Sequence, residues 1–178
     1  MSRRAVFIDR DGVIVRPVLR DGIPKAPFKR EEFAFYPDVA RALAILRILG
    51  FLRILVTNQP DVAHGYLAEE EWRWMQASVE ELDFDDVYIC RHIREDGCEC
   101  KKPKPGMLFA AAKKWGIDIR ASYMIGDTVS DTGAAQAAGC KSILIRASYN
   151  ESVRSDYVAS SLYDAVLLIK RLEGGRIR

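Results

Sequence analysis

Residues 4–8 (RAVFI) and 52–57 (LRILVT) are short apolar runs rich in β-branched residues, the pattern of strands buried on both faces of a parallel sheet. Between them, "DVARALAILRILG" sets Val39, Ala42, Leu43, Leu46 and Leu49 at helical spacing, with Asp38 expected as the N-cap and Gly50 as the stop. The same alternation continues down the chain. Helices are expected over 68–82, 105–116, 130–139 and 161–172, and strands over 86–90, 122–126 and 141–146. Strands separated by helices of ten to fifteen residues constrain the chain to α/β architecture with a doubly wound, mostly parallel sheet. At 178 residues, one domain spanning 1–178 is expected.

Two stretches interrupt this rhythm, 16–37 and 90–105, and each follows a strand end. Ligands of open α/β folds sit beyond the carboxyl ends of strands, so these loops are where a site is to be sought. Neither is long enough for a large cap domain. The net charge of +2, with acids and bases interspersed, gives no reason to expect nucleic acid as a partner. The N-terminal apolar stretch is too short for a signal peptide, and no segment approaches a membrane span, so a cytoplasmic protein without a membrane partner is expected.

The first strand ends in two acids, Asp9 and Asp11, in "FIDRDG". Carboxylates one residue apart repel unless a cation lies between them or one of them holds a proton. Three other stretches at strand ends carry complementary chemistry: Thr57 and Asn58 in "VTNQ", Lys102 and Lys104 in "KKPKPG", and Asp127 and Asp131 in "MIGDTVSD". Each alone reads as a cap or a solvated charge. Together they place acids, a hydroxyl and an ammonium at one predicted edge of one sheet. For Asp131 two readings stand, a metal ligand through water or an acid at the start of a helix.

A second constellation is "CRHIREDGCEC", which spaces Cys90, His92, Cys98 and Cys100 as CxHx5CxC. Three thiolates and one imidazole make a closed tetrahedral shell without an open position, so a short structural zinc loop at 90–100 is expected, clamping the segment before Lys101 and Lys102. Cys140, the fourth cysteine, reads as a small core residue.

In their order and content, "FIDRDG", "LVTNQ", "KKPKPG" and "MIGDTVSD" resemble the four motifs of the haloacid dehalogenase-like (HAD) phosphotransferases, across about two thirds of the chain. The resemblance implies a Rossmann-like HAD fold and a phosphatase that works through an aspartyl-phosphate. It implies Asp9 as nucleophile and Asp11 as general acid and base, with Thr57 and Lys102 holding the phosphoryl oxygens. Mg2+ would be bound by the side chains of Asp9 and Asp127 and the carbonyl of Asp11. Asn58, Gln59, Lys101 and Thr128 are expected to contact the substrate, a small phosphate ester, and a monomer is expected.

With the zinc loop, "KPKPGM" is similar to the branch holding histidinol-phosphate and D,D-heptose 1,7-bisphosphate phosphatases, and Gly65-Tyr66 leans toward the heptose type. The chain departs from that type with Pro60-Asp61, His64, Lys101 and Thr128. Arg16, Arg20, Lys25, Lys29 and Arg30 make the 16–37 stretch basic, which suits either an anionic substrate or a solvated loop. Histidinol phosphate or another sugar phosphate is the alternative substrate. A phospho-accepting receiver module is the rival from another class; in such modules the acidic pair is adjacent and the acceptor lies on a later strand, unlike Asp9-x-Asp11.

Overall fold

The computed structural model describes residues 2–174. Its central sheet has six parallel strands in the order β5-β4-β1-β6-β7-β8, comprising β1 (Arg4–Ile8), β4 (Phe51–Asn58), β5 (Asp86–Cys90), β6 (Tyr123–Gly126), β7 (Lys141–Ile145) and β8 (Tyr157–Ala159). Five helices connect or flank them: α1 (Val39–Ile48), α2 (Glu69–Glu80), α3 (Gly106–Trp115), α4 (Val129–Ala138) and α5 (Leu162–Gly174). A separate two-stranded hairpin, β2 (Val18–Arg20) and β3 (Ile23–Lys25), stands within the first interruption.

Alternation along β1 explains the two layers. Val6 and Ile8 pack with Leu43 and Leu46 of α1 and Val166 and Ile169 of α5. Ala5 and Phe7 face the other way, onto Met107, Leu108 and Ala111 of α3 and Ala134 and Ala135 of α4. A strand covered on both faces cannot alternate polar and apolar residues, which is why these strands read as continuous apolar runs.

The chain winds outward from β1 in both directions, to β4 and β5 on one side and to β6, β7 and β8 on the other. That reversal opens a crevice at the carboxyl end of β1. Asp9 follows β1, Asn58 ends β4, Asp127 follows β6, and the loop leaving β5 leads to Lys102. The fold thus delivers four separate stretches to one edge.

Two local expectations need correction. Asp38 occupies the position before α1, but its side chain makes no capping hydrogen bond. The 16–37 stretch is not a plain loop: "VLRDGIPK" forms the β2–β3 hairpin, with Asp21 (φ 52°) and Gly22 (φ 76°) both left-handed at its two-residue turn.

Candidate active site

Asp9 is buried just past β1, and the Lys102 ammonium lies 2.8 Å from its Oδ1. The same ammonium donates to Asp131 Oδ1 at 2.6 Å and to the Val56 carbonyl at 2.8 Å. Burial disfavours the charged lysine, yet Asp131 and Asp9 outweigh it and hold the Lys102 pKa above its ordinary value. Lys102 is therefore a fixed cation inside the site.

The loop bearing Lys102 is latched to β4. Asn58 Nδ2 donates to the Lys102 carbonyl and the Lys102 amide donates to Asn58 Oδ1, both at 3.0 Å. Asn58, expected to contact substrate, thus spends its amide on positioning the lysine. Gln59 also takes a positioning role. It is almost fully buried, and its Nε2 donates to Asp11 Oδ2 at 2.7 Å and to Thr57 Oγ1 at 2.9 Å. Since the Thr57 hydroxyl accepts from Gln59, its own proton is left to donate.

Asp11 has a partner that sequence reasoning missed. Arg10 is fully buried and reaches both oxygens of Asp11, through Nε at 3.1 Å and Nη2 at 3.3 Å. An arginine between two acids reads as solvated, and the local pattern gives no signal that its guanidinium turns inward. Asp127 has two such partners, both in the loop after β7. The Tyr149 hydroxyl donates to Asp127 Oδ2 at 2.6 Å, and Asn150 Nδ2 donates to the Asp127 carbonyl at 2.7 Å.

The helix-start reading of Asp131 has a geometric counterpart. Its Oδ2 accepts from the Thr128 amide at 3.0 Å and from the Thr128 hydroxyl at 2.6 Å, closing the start of α4, while Oδ1 pairs with Lys102. Thr128 lines the cleft, but its hydroxyl is engaged in this turn. Lys101 also lines the cleft, with its ammonium on the His92 carbonyl at 2.9 Å.

Carboxylate oxygens of Asp9, Asp127 and Asp131 lie within 4.8 Å of one another. Two glycines allow the crowding. A Cβ on Gly12 (φ +84°) would fall 2.0 Å from Asp127 Oδ2, and one on Gly126 would fall 2.2 Å from the Asp131 Cβ. Burial first, then the Asp131 charge, raises the Asp9 pKa to about 7 against the pull of Lys102. Burial and Asp9 raise that of Asp127 to about 8. Asp127 Oδ1 is buried with no donor among the described residues. An acid-only oxygen set with one orphaned buried oxygen is what a hard divalent cation fits.

The cysteine and histidine donors also converge. Cys90 Sγ lies 3.6 Å from His92 Nδ1 and 3.6 Å from Cys98 Sγ, Cys100 Sγ lies 3.5 Å from Cys98 Sγ, and His92 Nδ1 lies 3.3 Å from Cys100 Sγ. Ligands about 2.0 to 2.3 Å from a tetrahedral zinc are separated by roughly 3.3 to 3.8 Å, so the four atoms outline such a shell. Burial and the neighbouring thiols push Cys100 up to about 12, whereas hydrogen bonds from its neighbours hold Cys98 down at about 7 against burial, so the three sulfurs share charge unevenly until a dication joins them.

The cleft over these groups has a volume of about 420 Å³. Of the five basic residues in the 16–37 stretch, only Lys25 lines it. Arg20 pairs with Glu32, Arg30 with Glu70 and Glu71, and Arg16 lies over Tyr36.

A doubly wound sheet with a buried acid and a fixed ammonium beside a cation-ready acidic cluster defines a class, the phosphoric monoester hydrolases that work at the edge of such a sheet. Comparisons with known proteins narrow it. Residues 99–165 match the HAD-hydrolase-like family model. A D-glycero-beta-D-manno-heptose-1,7-bisphosphate 7-phosphatase from Pasteurella multocida is 34% identical, with 96% of this chain and 99% of that protein aligned. Its counterpart from Haemophilus ducreyi is 35% identical over 93% of this chain and 98% of that one. A crystal structure of D,D-heptose 1,7-bisphosphate phosphatase from B. bronchiseptica, complexed with magnesium and phosphate, superposes with a TM-score of 0.80 at 23% identity, covering 95% of this chain and 99% of that chain. The chain belongs to the HAD-like phosphatase family.

Proposed function

We propose that this phosphatase removes one phosphate from a heptose 1,7-bisphosphate, with Asp9 as nucleophile and Mg2+ as cofactor. The observation that carries the chemistry is the meeting of Asp9, Lys102 and Asp127 at one sheet edge. The substrate follows from the relatives' shared name over nearly their full length. An Asp9 carboxylate oxygen attacks phosphorus as the ester P–O bond breaks, and Asp11 gives its proton to the departing sugar oxygen. Water then attacks the aspartyl-phosphate, Asp11 takes the water's proton, and inorganic phosphate leaves. Lys102 and the Thr57 hydroxyl hold the phosphoryl oxygens, while Arg10 and Gln59 orient Asp11. Asp9, Asp127 and the Asp11 carbonyl would hold Mg2+, which would supply positive charge that keeps Asp9 ionised and offsets the charge on the phosphoryl group.

The test is phosphate release by purified protein from heptose 1,7-bisphosphate, histidinol phosphate and other sugar phosphates, with and without EDTA. Mg2+-dependent turnover favouring the heptose bisphosphate is expected. Turnover that persists in EDTA would refute the metal, and a preference for histidinol phosphate would refute the substrate.

Cys90, His92, Cys98 and Cys100 would hold a structural zinc ion. Elemental analysis should find about one equivalent per chain; a metal-free protein that melts at the same temperature would refute this. No helix among the described residues is long and apolar enough to cross a membrane. We place the enzyme in the cytoplasm as a monomer of one domain.

A further inference from the structure

Asp61 stands apart among the acids of the cleft. It lines the same wall as Asp9, Asp11 and Lys102, and it is only partly exposed, yet no hydrogen bond or ion pair reaches its carboxylate among the described residues. Burial, then the Asp11 charge, raises its pKa, and Lys25 is the strongest of the cations that oppose this. Lys25 lies on the same cleft, and among the described residues no hydrogen bond or ion pair reaches its ammonium. A carboxylate on the cleft wall that spends no hydrogen bond on protein donors among the described residues is free to accept them from a ligand that displaces the water around it.

Its position says which part of the ligand. Lys102 and Thr57 hold the phosphoryl side of the cleft, whereas Asp11 faces the departing oxygen. Asp61 neighbours Asp11, so it adjoins the alcohol portion of the ester. A carboxylate there accepts hydrogen bonds from hydroxyl groups.

The wall that carries it is rigid. The Asp61 carbonyl accepts from the Tyr66 amide at 2.9 Å, and the Pro60 carbonyl accepts from His64 at 2.9 Å. A ladder of rings then ties this turn to the β2–β3 stretch. His64 stacks on Tyr66 at 5.6 Å, Tyr66 on Phe28 at 6.2 Å, and the Arg20 guanidinium lies 4.4 Å over Phe28. Lys25 and Asp61 are thereby presented from two segments that are stacked together.

We propose that Asp61, with Lys25 beside it, is a specificity determinant that recognises hydroxyl groups on the sugar portion of the substrate. This rests on the proposed sugar-phosphate activity. The test compares Asp61→Asn and Lys25→Met with the unmodified enzyme on three substrates: the best sugar phosphate of the panel, histidinol phosphate, and p-nitrophenyl phosphate, whose leaving group has no such hydroxyls. Asp61→Asn is expected to lower kcat/KM for the sugar phosphate at least tenfold relative to p-nitrophenyl phosphate, chiefly through KM, and Lys25→Met to lower the same ratio less. Turnover of p-nitrophenyl phosphate shows that each variant folds. An unchanged ratio, or a selective loss on histidinol phosphate, would overturn the assignment. If the best sugar phosphate is not the heptose bisphosphate, the proposed substrate fails while the ratio on that sugar still decides the role of Asp61. If no sugar phosphate is turned over at all, both fail.

Discussion

Near the amino-terminal ends of the strands, Arg53 is buried on β4 and donates to both oxygens of Asp85, at 2.9 Å each, and to Asp83 at 2.5 Å. Asp86, opening β5, accepts from the Trp115 indole at 2.7 Å and pairs with Lys114 at 2.8 Å. Asp156, ahead of β8, accepts from the Ser142 amide at 2.7 Å and from its hydroxyl at 2.9 Å. At the carboxyl ends the pattern reverses. Asp127 keeps a buried oxygen without a donor, and one ammonium serves both Asp9 and Asp131. The ionisation behaviour follows: the hydrogen bonds of Arg53 hold Asp85 below its ordinary pKa despite burial, whereas Asp9 and Asp127 rise to about 7 and 8. Acids gather at both ends, partly exposed at the first and buried at the second, and at the buried end the cations fall short, which marks where a ligand's charge belongs.

The largest effect expected from breaking this contrast is at Asp9. Asp9→Asn keeps the shape and removes the carboxylate proposed as nucleophile, so phosphate release should fall on the order of 10³-fold or more while circular dichroism and melting stay close to those of the parent. A residual rate within tenfold of the parent would remove Asp9 from the mechanism. The opposite end should answer in stability alone. Arg53→Met takes the guanidinium fork from Asp85 and leaves Asp83 to Arg47 alone, at a cost of about 2 kcal/mol because both acids remain partly hydrated. A melting temperature lower by roughly 4 to 8 °C, with unchanged turnover per folded molecule, is the expected result.

The smallest effect concerns protons. In the unfolded chain Asp9 and Asp127 ionise near their ordinary value of 3.8, but folded and metal-free they keep protons to about 7 and 8. The folded state therefore binds more protons across that interval, and its stability falls as pH rises through it. Melting of the EDTA-treated protein should drop between pH 6 and 8.5, and Mg2+ should raise the melting temperature more at pH 8.5 than at pH 6. A flat or rising profile without metal would show that the acid surplus is already neutralised.

Much of this was legible in the chain before any coordinates. Apolar runs such as RAVFI announce buried parallel strands because both faces are covered, and the four motifs fall at strand ends because the winding brings those ends together. The β2–β3 hairpin was harder, although "RDG" is a two-residue turn signal, because strands of three residues with a proline inside carry almost no periodicity. Strand β8, also three residues long, was missed for the same reason. The inward turn of Arg10, the latch made by Asn58 and the reach of Tyr149 to Asp127 depend on partners 22 to 66 residues away or on a buried rotamer. Local pattern holds no record of either.

Pairing of Asn58 with Cys90 across β4 and β5 sets the first thiol of the cysteine-histidine cluster beside the amide that latches Lys102. The excursion between Cys90 and Lys102 is thus pinned at both roots to the same rung of the sheet. The ammonium is therefore positioned by the sheet itself, and the convergence of Cys90, His92, Cys98 and Cys100 gathers the rest of the excursion between the two roots.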